Sequence, residues 1–97
     1  MMHAVIVDDH GKVVVATCNI LEKIQKELSE IEDRLFDDIF PSYREYSMLY
    51  AIENVGTDPG HIQTNDVRVC SSNVTTKTFL LANHAGESHL FMVVFQL

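Results

Sequence analysis

A chain of 97 residues, 46% hydrophobic and 22% charged, is sized and composed for one globular domain over residues 1–97, which excludes a disordered chain and a second core. Seven basic against fourteen acidic residues give a net charge of -7, which excludes direct nucleic-acid binding and docking on an anionic membrane, since both draw on Lys and Arg. Cys18 and Cys70 stand in no CxxC or Cys/His pattern and no run reaches the ~18 apolar residues of a membrane span, so the expected setting is the cytoplasm.

His3 to Val7 and Lys12 to Thr17 are β-branched runs joined by Asp8-Asp9-His10-Gly11, where Gly11 supplies the positive φ of a hairpin turn. Asn19 then suits a helix N-cap, with Glu22 placed to close a capping box. Ile20, Ile24, Leu28, Ile31, Leu35 and Ile39 recur at helical spacing, so one long amphipathic helix is expected over about 20–39, stopped by Pro41. Glu22–Lys26 and Glu30–Arg34 line its opposite side.

A second helix is expected over about 43–55, with Ser42 and Glu45 as its capping box and Gly56 as its C-cap. The alternation of Tyr46, Met48, Tyr50 and Ile52 is the competing strand reading of that segment. Asp58-Pro59-Gly60 is a turn, and Val67 and Val69 alternate with Arg68 and Cys70 as in a strand with one covered face. After a turn at Ser71-Ser72-Asn73, strands over Thr76 to Asn83 and His89 to Leu97 flank a hairpin loop containing Gly86. The fold class is therefore α+β, a single antiparallel sheet of about five strands in the order β-β-α-(α)-β-β-β with both helices packed on it.

An antiparallel sheet covered on one face shows apolar-in, polar-out alternation. Here Leu90, Met92 and Val94 fall on one face of the last strand, and Phe91, Val93 and Phe95 on the other. The N-terminal hairpin behaves alike, with Val5 and Val7 against Ala4 and Ile6, and Val13 and Val15 against Val14 and Ala16. Such two-sided strands are expected inside the sheet, and the alternating one at an edge. If both helices lie on one side, the other exposes more apolar surface than a monomer tolerates, and a homodimer is the simplest cover. If the 42–55 segment covers the second face, the surplus disappears. The interface candidates are Leu90, Phe91, Val93, Phe95, Val5, Val7, Val13 and Val15.

This strand order resembles the core of profilin-like sheets, among them the roadblock and longin families and the GAF and PAS sensor domains. The run Ala4-Val5-Ile6-Val7-Asp8-Asp9-His10-Gly11-Lys12-Val13-Val14-Val15-Ala16 is similar to the opening hairpin of roadblock-type modules. The resemblance implies a dimerising interaction or sensor module.

Candidate chemistry is sparse. Asp8-Asp9-His10 reads as turn chemistry before it reads as an acid/base pair. His84 and His89 near Glu87 lack the converging ligands of a zinc site, and Cys18 and Cys70 read as ordinary buried thiols. Tyr43, Tyr46 and Tyr50 with Arg44 form a possible pocket lining, with core packing as the plainer reading. Glu30, Asp33, Asp37 and Asp38 make the end of the long helix acidic, against its macrodipole, a surface that could dock a basic protein. No metal and no cofactor are expected. The leading expectation is a non-enzymatic interaction or regulatory module acting as a homodimer. The alternatives are an acidic inhibitor or mimic on another protein's basic site, and a small-ligand binder or small enzyme with a helix–sheet pocket.

Overall fold

The computed structural model describes residues 2–42, 47–58, 60–82 and 89–97, with the side chain of Ala82 set aside. Alternating β-branched runs form β1 (His3–Asp8) and β2 (Val13–Ala16). The connecting segments form α1 (Cys18–Ile24), α2 (Leu28–Ile31), α3 (Phe36–Ile39) and α4 (Met48–Thr57), and β3 (Gln63–Val69), β4 (Ser72–Ala82) and β5 (Leu90–Gln96) complete the chain. The five strands make a single antiparallel sheet in the order β2-β1-β5-β4-β3. The expected α+β architecture is present, with the first and last strands paired near its centre. The alternating strand β3 lies at an edge as expected, whereas the two-sided β2 forms the other edge.

The first turn follows its sequence. Asp8 Oδ1 accepts the N–H groups of His10 and Lys12 at 2.9 and 3.0 Å, and Gly11 takes φ +78°. The β3–β4 turn is tighter than Ser71-Ser72-Asn73 suggests. Val69 pairs with Ser72, leaving Cys70 and Ser71 alone at φ 51° and 75°, a primed hairpin turn built without glycine.

The helix expected over 20–39 does not form as one piece. Gln25 at φ 57° ends α1, and Asp33 at φ 63° redirects the chain between α2 and α3. The reason lies in Phe36 and Phe40, which fall outside the isoleucine stripe and would point away from the sheet in a continuous helix. With the breaks both are at most 1% exposed, their rings 4.9 Å apart and 6.0 and 4.9 Å from Phe95. Burying two such side chains, about 1.5–3 kcal/mol each, outweighs left-handed strain of about 1–2 kcal/mol at each break. Leu35 is left 43% exposed. Caps shift too: Thr17 rather than Asn19 is the N-cap of α1, and Glu27 and Glu30 form the capping box of α2.

The helix α4 begins at Met48, and residues 43–46 of the expected helix, with Glu45 of its expected capping box, lie outside the described residues. Ser47 caps it by accepting Tyr50 N–H at 3.2 Å, and Asp37 accepts Met48 N–H through both oxygens, at 3.0 and 3.2 Å. Gly56 lies within this helix rather than at its C-cap, facing the Phe91 ring.

Every helix contributes to one core. Ile20, Ile31, Phe36, Phe40, Met48, Ala51, Ile52 and Val55 join Val5, Val7, Val13, Phe91, Val93 and Phe95 in a single buried cluster. The helical layer therefore covers one face of the sheet, and α4 does not cover the other. One connecting segment also reaches both edges. Arg34 O accepts Val13 N–H at 2.9 Å at the β2 edge, and Pro41 O accepts Arg68 N–H at 2.8 Å at the β3 edge.

Candidate functional site

The register fixes which apolar residues turn away from the helical layer: Ala4 is already buried there, Ile6, Phe79, Leu90, Met92 and Val94 are half-buried, and Val15 is exposed. Ala4 pairs with Val94, Ile6 with Met92 and with Val15, and Met92 with Phe79, all facing away from the helices. Together with Leu90 they make a contiguous apolar stripe over β2, β1, β5 and β4. Toward β3 the same face turns polar, through Thr64, Asp66, Arg68, Thr75 and Lys77, and Thr75 Oγ1 donates to Asp66 Oδ1 at 3.0 Å. At the β2 end of the stripe lies a hollow of about 130 Å³ lined by Met2, Ala4, Ile6, Val15, Ala16, Thr17 and Met92.

Among the interface candidates, Leu90 and Val15 lie on this outer face. Val5, Val7, Val13, Phe91, Val93 and Phe95 point into the core, at most 3% exposed, a correction of one step in strand phase. The phase is set by volume: the inward positions receive the phenylalanine rings that meet Phe36 and Phe40.

The acidic candidates do not form one face at a helix C-terminus. Glu30 caps α2, and Asp33 is exposed, 3.9 Å from Lys12 Nζ. Asp37 and Asp38 occupy the first turn of α3, where a carboxylate suits the dipole instead of opposing it. Burial raises the Asp37 carboxyl above its ordinary pKa, the bond from Met48 N–H opposes that, and the Asp38 charge reinforces it. A groove of about 640 Å³ beside them mixes Glu30, Asp33 and Asp38 with Lys26 and Arg34, so it carries no uniform sign.

Of the possible pocket, Tyr50 is 46% exposed, and Tyr43, Arg44 and Tyr46 lie outside the described residues. The same holds for His84 and Glu87. His89 is half-buried, its ring 6.3 Å from that of Phe91. Both cysteines are exposed rather than buried, and the Cys70 thiol donates to Lys23 O at 3.1 Å. Among the described residues, no group of three or more His, Cys, Asp or Glu is placed to hold a metal ion. No described helix is long and apolar enough to cross a membrane.

A polar patch inside the core escaped the sequence reading. Gln63, Asn65, Thr76 and Thr78 share the inward face of β3 and β4, beneath α4. Asn54 of α4 donates to Gln63 Oε1 at 3.3 Å, Gln63 Nε2 donates to Asn65 Oδ1 at 3.0 Å, and Thr76 Oγ1 donates to Asn65 O at 3.2 Å. Thr78 is fully buried, and its hydroxyl has no partner among the described residues. The signal was available, since Gln63 and Asn65 are in phase with Val67 and Val69.

No protein-family model matches the chain, and no curated protein matches it in sequence. Solved structures do match in shape. The PAS-B domain of Drosophila melanogaster Cycle, solved with bound ethylene glycol, superposes with a TM-score of 0.73 at 14% identity over 98% of each chain. The PAS domain of an HTR-like protein from Haloarcula marismortui gives 0.76 at 13% identity, over 98% of this chain and 84% of that one. The chain has a PAS-like fold. A PAS domain from Desulfitobacterium hafniense agrees, at 0.71 and 11% identity over 99% of this chain and 92% of that one. In this PAS-like fold the two features above sit on opposite sides of the sheet, the apolar stripe outside and the polar patch under α4.

Proposed function

We propose that the chain is a non-enzymatic interaction module of the signalling type that PAS-like folds commonly serve, and that it works as a homodimer joined through the outer sheet face. The apolar stripe of Ile6, Val15, Phe79, Leu90, Met92 and Val94, opposite the whole helical layer, carries this reading. The partner it fits is a second copy. Glu22, Glu27, Glu30, Glu32, Asp33 and Asp38 are exposed on the helical side, whereas the outer positions of β2 and β5 carry no charge. Two copies of an acidic chain therefore meet with least repulsion sheet to sheet. Edge-to-edge pairing is disfavoured as long as the 33–42 segment stays bonded to both edge strands. Five strands spaced ~4.8 Å apart present on the order of 500 Å² of face per copy, which reaches the lower limit of specific interfaces. Exposed free thiols fit a reducing, cytoplasmic setting.

Sedimentation of the intact chain, alone and as Met92→Glu, tests the reading. The expected result is a dimer at high micromolar concentration and a monomer of unchanged circular dichroism once Met92 carries a charge. A chain monomeric at every accessible concentration, or a dimer indifferent to Met92→Glu, overturns it.

A second reading, a small-ligand binder, is favoured by the patch of Asn54, Gln63, Asn65, Thr76 and Thr78 and by the Thr78 hydroxyl, which has no partner among the described residues. Thermal-shift screening against small neutral hydrogen-bonding compounds checks it, because a ligand at a hundred times its dissociation constant adds about 2.7 kcal/mol. A panel without shifts counts against it.

A further inference from the structure

The free edge of a sheet is a template for another strand, and proteins cover it. At the β2 edge the cover is the chain's own backbone. Val13 N–H donates to Arg34 O at 2.9 Å, Asp33 N–H to Val13 O at 2.8 Å, and Phe36 N–H to Gly11 O at 2.8 Å. The bridge between Lys12 and Leu35 that these bonds frame is antiparallel, the same arrangement an added strand would take.

The cover is lightly held. Glu32, Asp33, Arg34 and Leu35 are all exposed, and the first buried anchor after them is Phe36. Asp33 sits at φ 63°, a region that disfavours side chains and β-branched ones most. Its ion pair with Lys12 spans 3.9 Å between an exposed carboxylate and a half-exposed ammonium, close to the class of pair that adds least. A segment with few apolar contacts and exposed backbone bonds opens ahead of the core.

We propose that residues 32–35 are a releasable strap over β2, and that strap-open chains pair β2 to β2 with a second copy. Self-pairing is the occupancy the strand fits, because antiparallel pairing of one edge with its own copy closes by a two-fold axis. Val14 and Val15, 42% and 39% exposed beside that edge, supply apolar contact across it. This mode is independent of the face dimer and is read where the face dimer is removed.

The test uses two variants in a Met92→Glu background, Asp33→Gly and Asp33→Val. Both delete the carboxylate, and they differ in their tolerance of φ 63°. Amide hydrogen exchange at Val13 and Phe36 is expected to be about tenfold faster in Asp33→Val than in Asp33→Gly, with Thr78 and Val93 unchanged. Sedimentation is expected to show Asp33→Val associating and Asp33→Gly monomeric. Equal exchange at Val13 and Phe36 overturns the strap. So does acceleration that spreads equally to Thr78 and Val93, since that is global unfolding. Faster local exchange in a chain that stays monomeric overturns the β2 pairing. A Met92→Glu, Asp33→Gly chain that remains dimeric refutes the face dimer instead, and the exchange comparison still decides the strap.

Discussion

Thr76 and Thr78 lie side by side on the inward face of β4, both 0% exposed, yet only the Thr76 hydroxyl has a described partner, the carbonyl of Asn65. Valine keeps the shape of threonine and removes the hydroxyl, so the pair separates the cost of burying that group from the gain of bonding it. An unpaired buried hydroxyl costs about 1–3 kcal/mol, so Thr78→Val should stabilise the chain by about 1–2 kcal/mol. Thr76→Val deletes a made bond and should cost about 1 kcal/mol. For a domain of this size 1 kcal/mol moves Tm by roughly 4–8 °C, so the two variants should melt on opposite sides of the parent, well outside calorimetric error. Denaturant unfolding with an unchanged m-value confirms that stability and not compactness moved. Thr78→Val melting below the parent would refute the reasoning. It would mean that the hydroxyl is bonded in solution, to a water or a small molecule in the patch.

Three further outcomes follow from the geometry. Phe40→Ala, which removes the ring between Phe36 and Phe95, should cost about 3–5 kcal/mol and dissolve the near-ultraviolet aromatic signal; a loss below 1 kcal/mol would show that the three rings do not set the break in the long helix. Cys70→Asn with Ser71→Gly places the residues a primed turn prefers at φ 51° and 75°, and should raise the denaturation midpoint by about 1 kcal/mol equivalent; no gain would mean that the Cys70 thiol's bond to Lys23 O offsets the strain. Asp37 has a carboxyl raised by burial, so its ionisation works against the fold. Its contribution is full below the unfolded pKa of about 3.9 and is lost as pH rises through the raised native value. Asp37→Asn, which keeps an oxygen for Met48 N–H, should therefore be more stable than the parent at neutral pH, with the gap closing in acid; a gap that widens on acidification contradicts the sign.

Much of the sheet was legible because β-branched runs and turn residues say where strands begin and end. Phase was not. In Leu90 to Phe95 both alternating sets are apolar, so hydrophobicity cannot rank Phe91 above Met92 as the inward residue. That choice is made by the helical layer, whose Phe36 and Phe40 need aromatic partners across the core. The same two residues explain the broken helix. The isoleucine stripe from Ile20 to Ile39 is a true helical period, but Phe36 and Phe40 form a competing one with greater volume. The breaks fall at Gln25 and Asp33, which carry no local breaker signal. The polar patch was hidden by residue type, because Gln63, Asn65, Thr76 and Thr78 look like solvent-facing residues. Only their phase with Val67, Val69 and Val74 marks them as inward.

The size of the outer face also decides what kind of dimer it can form. Two copies remove roughly 1,000 Å² of face from water, about half of it apolar because the face turns polar toward β3, and that half contributes about 12 kcal/mol at ~25 cal/mol per Å². Loss of translational and rotational freedom and the ordering of side chains oppose it with about 4–15 kcal/mol. What is left is at most about 8 kcal/mol, which corresponds to dissociation constants in the micromolar range or weaker. The core does not need that contribution, since Phe36, Phe40, Phe91 and Phe95 are each at most 3% exposed within one chain. Dilution should therefore separate the copies without unfolding them: sedimentation shifts from dimer to monomer while circular dichroism and Tm hold nearly constant. If the chain instead unfolds as it dissociates, the outer face completes the core, and the dimer is an obligate unit of folding and not a reversible association.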